Sequence, residues 1–553
     1  MHLWNKHRPY LLSDFIAGAT GAVAGAPQAM GFAIIAGVSP VYGLYAAVVS
    51  TIVGALTSSS TFMVIGPTNA LALVVASTLI GFDQAGQIER LFVLTLLVGI
   101  FQLLFGVLRL GILVRFVSNA VMVGFLTGAG VLIILGQLRY LNGTSIDTTT
   151  GYLASTLNWI GHIPDSNAQT LLIGIVTILT IVGLHRTRYK NAAVLMAIAL
   201  TTLVVQLAGW SNVALVRDIS PIPSALPAPI LPNLSLAPDL LIAALAIAVL
   251  GSVQSAAITQ SIPEADGTIA DITRDFAGQG FANIASSIFQ GMPTAGSLSR
   301  TAINVGAGAR TRLANIFAAL FIALTLLIFG NIIERVPLAS LAGHLVVAAA
   351  GLIQIRSLRL VWRVNLSGRL PMIVTFVSTL VLPLEYSIYL GILLSLGLYV
   401  YTSAGNIHVA RIVPDDNGQF REAPVPEHLP DGQPIVFSIS GNLYFAAIKR
   451  MEELLPSPAG TKNPVVILRL RDNEYLGSTG MRFLERYQQQ LQQRGGKLIL
   501  AGISPHIREQ LERTGELELI GEENIFFSDD LIFSATHRAL SFAKSWLDGQ
   551  RSQ

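Results

Sequence analysis

The stretch GMPTAGSLSRTAINVGAGAR, residues 291–310, places the cation Arg300 among glycines, serines and threonines. The sequences FANIASSIFQGMP before Arg300 and TAINV after it are apolar enough to lie in a membrane. An arginine at bilayer depth costs roughly 2.5 to 3.5 kcal/mol, so it normally faces a polar cavity or a partner. Either Arg300 lies in a loop at the membrane surface, or SLSRT begins a half-helix inside the membrane.

A half-helix would give this stretch a chemical role. Ser297, Ser299 and Thr301 would lie near its amino end, where unpaired backbone N–H groups and a partial charge of about +0.5 favour an anion. Arg300 would add a full positive charge without needing an acidic partner.

The stretch VIGPTNALALVV, residues 64–75, has the same character. Gly66 and Pro67 break the chain before Thr68, and an apolar run follows. If the chain contains inverted repeats, this second helix start faces SLSRT across an anion pocket. Alternatively, Pro67 is only a kink and Thr68 bonds to the preceding turn.

The composition shows why a membrane is expected. Of 553 residues 52% are hydrophobic and 12% are charged, which is too apolar for a soluble chain of this length. The chain has no cysteine, which excludes disulfides, thiolate metal sites and thiol nucleophiles. The first thirteen residues lack a cleavable signal pattern, so the amino terminus is expected to stay in the cytoplasm.

Fourteen apolar segments can be read before residue 404, and several are too short to span a bilayer alone, as in inverted-repeat transporters. The segments are 15–36, 42–57, 67–80, 91–107, 118–138, 168–185, 191–208, 237–260, 277–290, 298–309, 313–333, 338–355, 371–383 and 385–403. Basic loops fall on the amino-terminal side of this arrangement, at Lys6/Arg8, Arg109/Arg115, Arg186/Arg188/Lys190, Arg310/Arg312 and Arg356/Arg359/Arg363/Arg369. Basic loops stay in the cytoplasm, so both termini are expected there.

The remainder reads as a soluble α/β domain. The runs PIVFSIS, NPVVILRL and GKLILAGI predict strands, with helical stretches between them, which favours a mixed or parallel sheet. We therefore predict a transmembrane domain at 1–404, an irregular exposed linker at 405–433 and an α/β domain at 434–550.

These residues resemble the SulP anion permeases, whose animal members are the SLC26 transporters. The resemblance rests on DFIAGATGAVAGAPQAMGFAIIAGVSPVYGLYAAVV, GPTNA, GQGFANIASSIFQGMPTAGSLSRTAINVGAGART and GISPHIREQLERTG, which follow the order of the family. It implies fourteen transmembrane segments in two inverted repeats of seven, with a core domain that moves against a gate domain in an elevator-type cycle. It also implies a carboxyl-terminal STAS domain and dimers.

The resemblance implies an anion site on six residues: Gln28, Phe32, Thr68, Ser297, Ser299 and Arg300. The Gln28 amide can donate an N–H, and Phe32 can present its positive ring edge. Alternatively, Gln28 is a helix-packing amide, because the small-residue pattern GAVAG lies nearby at 21–25.

Two positions depart from the family pattern. Gln254 stands where cation-coupled relatives place a carboxylate, and an amide does not titrate near neutral pH, so sodium or proton coupling is in doubt. The acidic residues that follow it, Glu264, Asp266, Asp271 and Asp275, are expected in a solvated cytoplasmic connection. Ser478 occupies the position of a phosphorylatable hydroxyl, but Gly477 replaces the usual aspartate, and we favour a helix N-cap there.

The sequence predicts a transporter rather than an enzyme, since it lacks H-E-x-x-H and G-x-S-x-G motifs. Nucleobase permeases share the fold but need carboxylates where this chain has Gln254 and Arg300. An anion channel remains an alternative. We expect sulfate as the substrate, then bicarbonate, chloride or nitrate. We also expect no cofactor, no nucleic acid, a lipid-embedded homodimer and a location in the bacterial inner (plasma) membrane.

Overall fold

The computed structural model describes residues 8–111, 117–144, 152–264, 266–364, 366–415, 419–471 and 473–551. Lys6 and Arg115 of the predicted basic loops, and residues 1–7 of the amino terminus, lie outside these ranges. The chain forms two compact units, Met1–Ser395 and Leu396–Gln553, and each is described by itself.

The first seven apolar segments all coincide with helices. In chain order the helices are α1 (Leu11–Ile35), α2 (Pro40–Thr57), α3 (Asn69–Leu79), α4 (Gln84–Val107), α5 (Asn119–Asn142), α6 (Tyr152–Gly161), α7 (Ala168–Leu184) and α8 (Ala193–Ala208). Helix α6 is additional, because its short amphipathic sequence does not resemble a membrane span.

The second seven segments also coincide with helices. These are α9 (Ala237–Ser261), α10 (Ile272–Ile288), α11 (Leu298–Gly306), α12 (Leu313–Ile333), α13 (Leu338–Ala350), α14 (Ile355–Val364), α15 (Leu366–Val381) and α16 (Leu384–Gly405). Helix α14 is additional to the prediction, since its arginines interrupt the apolar pattern.

Eight helices in the described ranges are long and apolar enough to cross a bilayer, and shorter apolar helices accompany them. The first unit is thus a polytopic helical membrane domain, as predicted. Fourteen spans in two inverted repeats of seven fit this arrangement and remain a prediction.

Glycine contacts allow helices of this unit to approach closely. A Cβ atom added to Gly99 of α4 would lie 2.9 Å from the carbonyl oxygen of Gly280 in α10. A Cβ on Gly280 would lie 2.8 Å from the carbonyl oxygen of Gly99. Small residues are the usual means of close helix packing in a membrane, where apolar burial supplies little driving force between helices.

Two short strands interrupt the helical unit, each just before a short helix. Strand β1 (Ile65–Gly66) precedes α3, and β2 (Ala295–Gly296) precedes α11. The strands pair antiparallel, with Ile65 opposite Gly296 and Gly66 opposite Ala295. This pairing fixes the two non-helical segments, and with them the starts of α3 and α11, next to each other.

The second unit is a six-stranded sheet with helices on both faces. Its elements are β3 (His408–Pro414), β4 (Phe420–Ala423), β5 (Pro434–Ser440), α17 (Phe445–Leu454), β6 (Val465–Arg469), α18 (Gly477–Gln492), β7 (Lys497–Ile503), α19 (Pro505–Thr514), α20 (Glu516–Ile520), β8 (Ile525–Phe527) and α21 (Ser534–Arg551). The strand order is β4-β3-β5-β6-β7-β8, with β5 to β8 parallel. The predicted mixed or parallel sheet is confirmed.

The expected irregular linker at 405–433 is wrong in one respect. Strands β3 and β4 lie in it and pair antiparallel with each other, and β3 also pairs with β5. The run HVARIV alternates enough to pair with the open edge of β5, although the Pro, Asp and Gly around it had suggested a loop.

Candidate functional site

The starts of helices α3 and α11 lie side by side. The β1–β2 pairing joins the residues just before each helix, and the Ser297 backbone N–H donates to the carbonyl oxygen of Val64 at 2.9 Å. Helix α11 begins after Ser297 and α3 begins after Thr68. Pro67 therefore precedes the helix rather than kinking one. The two partial positive charges of the helix starts act on the same region.

Arg300 lies in the first turn of α11 and is 3% exposed. Its Nη2 donates to the carbonyl oxygen of Pro67 at 2.7 Å, whereas its buried Nε has no hydrogen-bond partner. Among the described residues no carboxylate forms an ion pair with it. The alternative of an exposed surface loop is wrong, because Arg300 is buried in a helix against the start of the second helix.

Gly66 makes room for this arginine. A Cβ atom on Gly66 would lie 2.5 Å from Nη1 and 2.8 Å from Nη2 of Arg300, which no side chain tolerates without a shift. On the other side, a Cβ on Gly25 of α1 would be 3.6 Å from the Arg300 Cδ. The guanidinium is thus enclosed by backbone, and its position depends on a glycine of β1.

Thr68 and Gln254 meet at the start of α3. Thr68 is 6% exposed, and its Oγ1 donates to Oε1 of Gln254 in α9 at 3.3 Å. The Thr68 carbonyl accepts from Ala72, as an N-cap does, but its side chain does not cap the helix. Gln254 therefore contacts the site directly. A carboxylate at position 254 would face Thr68 in the same way, but this chain has a neutral amide there.

The two serines of SLSR lie at the opposite helix start. Ser297 is buried at the N-cap of α11, and Ser299 is exposed in the first turn. Their hydroxyl oxygens are 3.4 Å apart, and the Ser297 side chain does not cap the helix. Neither helix start is capped by its own N-cap side chain, although the Asn69 side chain accepts from the Ala70 N–H at 2.9 Å in the first turn of α3. The remaining first-turn amides can donate to a ligand.

Gln28 and Phe32 lie on α1, which packs against both α3 and α11. Phe32 is buried in an apolar cluster that includes Ala70 and Leu73 of α3. The buried Oε1 of Gln28 has no hydrogen-bond partner. The structure thus places both residues on the helix beside the two helix starts, and their contact with an anion remains a prediction.

A buried polar network supports β2 from behind. The Asn283 side chain accepts from the Thr294 backbone N–H at 2.7 Å and donates to the Thr294 carbonyl at 2.9 Å. The Ser255 hydroxyl accepts from the Gly296 N–H at 3.0 Å and donates to Gln279 at 2.6 Å. These bonds fix the strand that carries α11, and sequence reasoning did not single out these residues.

Asp275 is the clearest correction among the acidic residues. It was expected in a solvated connection, but it is fully buried in α10. Its carboxylate accepts from the backbone N–H groups of Ser59 and Ser60 at 2.7 and 2.8 Å, and from the hydroxyls of Ser60 and Thr259 at 2.6 and 2.8 Å. The four donors stabilise the charge and fix the loop that leads into β1.

Asp14 has an equivalent role at the other half-helix. It is fully buried near the start of α1 and accepts from the backbone N–H groups of Arg310 and Thr311 at 2.7 and 3.0 Å, and from the Thr311 hydroxyl at 2.6 Å. These residues lie between α11 and α12. The shared pattern DFIAG at 14–18 and DFAG at 275–278 is the sequence signal that could have revealed both carboxylates.

The other acidic residues of that connection differ from Asp275. Glu264 accepts from the Thr61 backbone N–H at 2.9 Å, and Asp271 accepts from Thr273 and Arg274 at the start of α10. Asp266 is exposed, and hydrogen bonds from Thr268 hold the pKa of its carboxyl below the ordinary value. Asp266 and Asp271 are exposed, as expected, whereas Glu264 is partly buried and Asp275 is fully buried.

Ser478 is exposed in the first turn of α18, and the N-cap position is Leu476. Our preference for Ser478 as the N-cap is therefore wrong, because the helix begins one residue earlier, at Gly477. A regulatory role for this accessible hydroxyl stays a prediction.

The sequence is similar to known protein families along most of its length. Residues 11–375 match the model of the sulfate permease family, and residues 424–533 match the STAS domain. The chain is 29% identical over 548 residues to a protein named probable sulfate transporter 4.2 of Arabidopsis thaliana, covering 94% of this chain and 80% of that protein.

Two solved structures are also similar. The murine anion transporter Slc26a9 in the inward-facing state superposes with a TM-score of 0.85 at 19% identity, covering 97% of this chain and 92% of the other. The transmembrane domain of the cyanobacterial bicarbonate transporter BicA superposes with a TM-score of 0.60 at 25% identity, covering 71% and 97%. The family model spans more than half of the chain. This chain belongs to the sulfate permease family, a family of membrane transporters, and carries a STAS domain in its second unit.

Proposed function

We propose that the protein transports small inorganic anions across the membrane and that the anion binds between the starts of α3 and α11. One observation carries the proposal: Arg300 is buried where two helix starts meet, neither of them capped by its N-cap side chain, and its Nε has no partner among the described residues. A buried cation without a carboxylate is costly unless an anion completes its surroundings.

The groups around this point suit an oxyanion. Arg300 supplies charge, the first-turn amides supply N–H donors, and Ser299 supplies an exposed hydroxyl. Gln28 can turn its amide N–H toward the same space from α1. Phe32 supplies an apolar wall that offers the anion no hydrogen bond. The anion would therefore be only partly surrounded by donors, which allows it to dissociate again.

The charge balance favours sulfate. Arg300 contributes one positive charge, and two helix starts contribute about +0.5 each, so the site offers about +2 against a dianion. Bicarbonate, chloride and nitrate each carry one negative charge and would leave about +1 of this charge unbalanced. Bicarbonate is the second candidate because of the similarity to BicA.

An elevator-type cycle fits the way the site is held. The Arg300–Pro67 bond, the β1–β2 pair and the Ser255–Gly296 bond tie α3, α9 and α11 to one another around the site. A block that is bonded in this way is expected to move as one body and to carry the anion with it. A channel, the alternative, would need an open path past the same residues.

Coupling to sodium or protons is not part of the proposal. Gln254 contacts Thr68 with a neutral amide, and the buried carboxylate of Asp275 is already satisfied by four donors. We propose exchange or uniport by a homodimer in the plasma membrane, with both termini in the cytoplasm.

The test is uptake of labelled sulfate, bicarbonate, chloride and nitrate by the purified protein in proteoliposomes, with and without sodium and a pH gradient. We expect saturable sulfate uptake that neither gradient changes. Conductance of ions at channel rates, or uptake of none of the four anions, would contradict the proposal.

A further inference from the structure

A cavity of about 270 Å³ lies within the membrane unit, close to the candidate site. Leu73 and Ala76 of α3 line it, and so do Ile34 and Ile35 at the end of α1. Leu73 follows Thr68 by five residues, which is about 8 Å of helix. Both helices therefore run from the candidate site directly into the cavity, on the side away from the start of α1.

The cavity contains polar groups that have no hydrogen-bond partner in the part of the chain that the structure describes. Gln137 of α5 is 4% exposed, and its Oε1 has no hydrogen-bond partner. The buried indole Nε1 of Trp159 in α6 also has none. Both residues line the cavity, whose other walls are mainly apolar. A buried polar atom without a partner costs free energy. A guest would therefore be stabilised if it accepted from the indole N–H and from the Gln137 amide, turned so that its N–H groups face the guest.

The lining also has a positive charge. Arg139 is the one charged side chain among the described residues that line the cavity. Its Nη2 donates to the Tyr140 hydroxyl at 2.9 Å, and its guanidinium lies 4.5 Å from the centre of the Tyr140 ring. An apolar guest would leave the polar atoms unpaired, whereas an oxyanion can accept from the indole N–H.

We propose that this cavity is a second anion site, which holds the transported inorganic oxyanion on its way between the candidate site and the membrane face opposite the start of α1. The inference rests on the proposed function, whose orientation makes this the external face. The Trp159 N–H and the Gln137 amide N–H donate to the anion, and Arg139 attracts it. A glutamine can turn either end of its amide toward a ligand.

The test compares transport from the two faces of oriented proteoliposomes. Trp159→Phe and Gln137→Leu each remove one hydrogen-bonding group and keep a similar shape. Each should raise the half-saturating external sulfate concentration about two- to tenfold and leave the internal value unchanged. The exposed Trp362 of α14 gives a matched control, because Trp362→Phe should change neither value. An equal change on both faces, or none, would overturn the inference.

Fluorescence of Trp159 gives a second measurement that does not depend on transport. Sulfate added to the full-length Arg300→Ala protein should change tryptophan emission, and this change should be absent after Trp159→Phe. Suppose the unmodified protein transports anions, but sulfate does not change the emission and the two substitutions do not change the external half-saturating concentration. The cavity then holds water, and this inference alone fails. If the unmodified protein transports no anion, the proposed function fails with it.

Discussion

Arg300 donates a hydrogen bond to the carbonyl oxygen of Pro67, 233 positions earlier in the chain, with a donor–acceptor distance of 2.7 Å. The bond joins the first turn of α11 to the residue that precedes the start of α3. It uses one nitrogen of the guanidinium and leaves Nε without a partner. Arg300 therefore holds the two half-helices together and still has capacity to bind an anion between them.

The first prediction concerns Gly66. A Gly66→Ala change places a methyl group against the guanidinium, so Arg300 must move from Pro67. We expect anion affinity to fall about tenfold, roughly the value of one charge-assisted hydrogen bond. Titration calorimetry with sulfate measures this. Gly306→Ala at the end of α11 is the control, because nothing lies within 4 Å of its Cβ position. Equal affinities for the two variants would contradict the contact.

The second prediction concerns Asp275. An Asp275→Ala change leaves the backbone N–H groups of Ser59 and Ser60 buried without an acceptor. We expect a loss of about 3 kcal/mol of stability and a smaller loss for Asp275→Asn, which keeps one acceptor oxygen. The measurement is the apparent melting temperature at one fixed scan rate. Asp266→Ala is the exposed control, and similar melting of Asp266→Ala and Asp275→Ala would refute the role.

The half-helices could be predicted from the sequence because a lone arginine among serines in an apolar run has few stable placements. The contact of Thr68 with Gln254 and the space at Gly66 could not, since they depend on how α3, α9 and α11 pack in three dimensions. Asp275 was misplaced for the same reason: its neighbours in sequence are polar, whereas three of its four hydrogen bonds come from Ser59 and Ser60, about 215 residues away. Helix α14 was missed because its arginines interrupt the apolar pattern.

The third prediction concerns coupling. Gln254→Glu would place a negative charge against Thr68, where it opposes anion binding unless a cation accompanies the anion. We expect sulfate uptake by this variant to depend on sodium or on protons, whereas the parent is indifferent to both. Uptake at several sodium concentrations and pH values measures this. A saturable sodium stimulation of the unmodified protein would show that the amide and nearby carbonyls suffice.

The fourth prediction concerns the second unit. Strand β3 begins at His408 and pairs with both β4 and β5, so a cut near Pro414 would leave this strand without its sheet. Ending the chain after Gly405 avoids this. We expect the shortened chain to bind sulfate with nearly unchanged affinity, since Pro67, Thr68 and Arg300 lie in the first unit, and to differ in assembly or rate. A folded shortened chain that binds no anion would contradict the separation of the two units.

Sulfate binding to Arg300→Ala tests the central claim most directly. The change removes the only full charge that we assign to the site and the bond to Pro67. We predict a loss of about 2 to 3 kcal/mol in binding free energy, or roughly 30- to 150-fold in affinity. Arg186→Ala, in a basic loop, should bind as the parent does. Near-normal saturable binding by folded Arg300→Ala would contradict an anion site between the two half-helices.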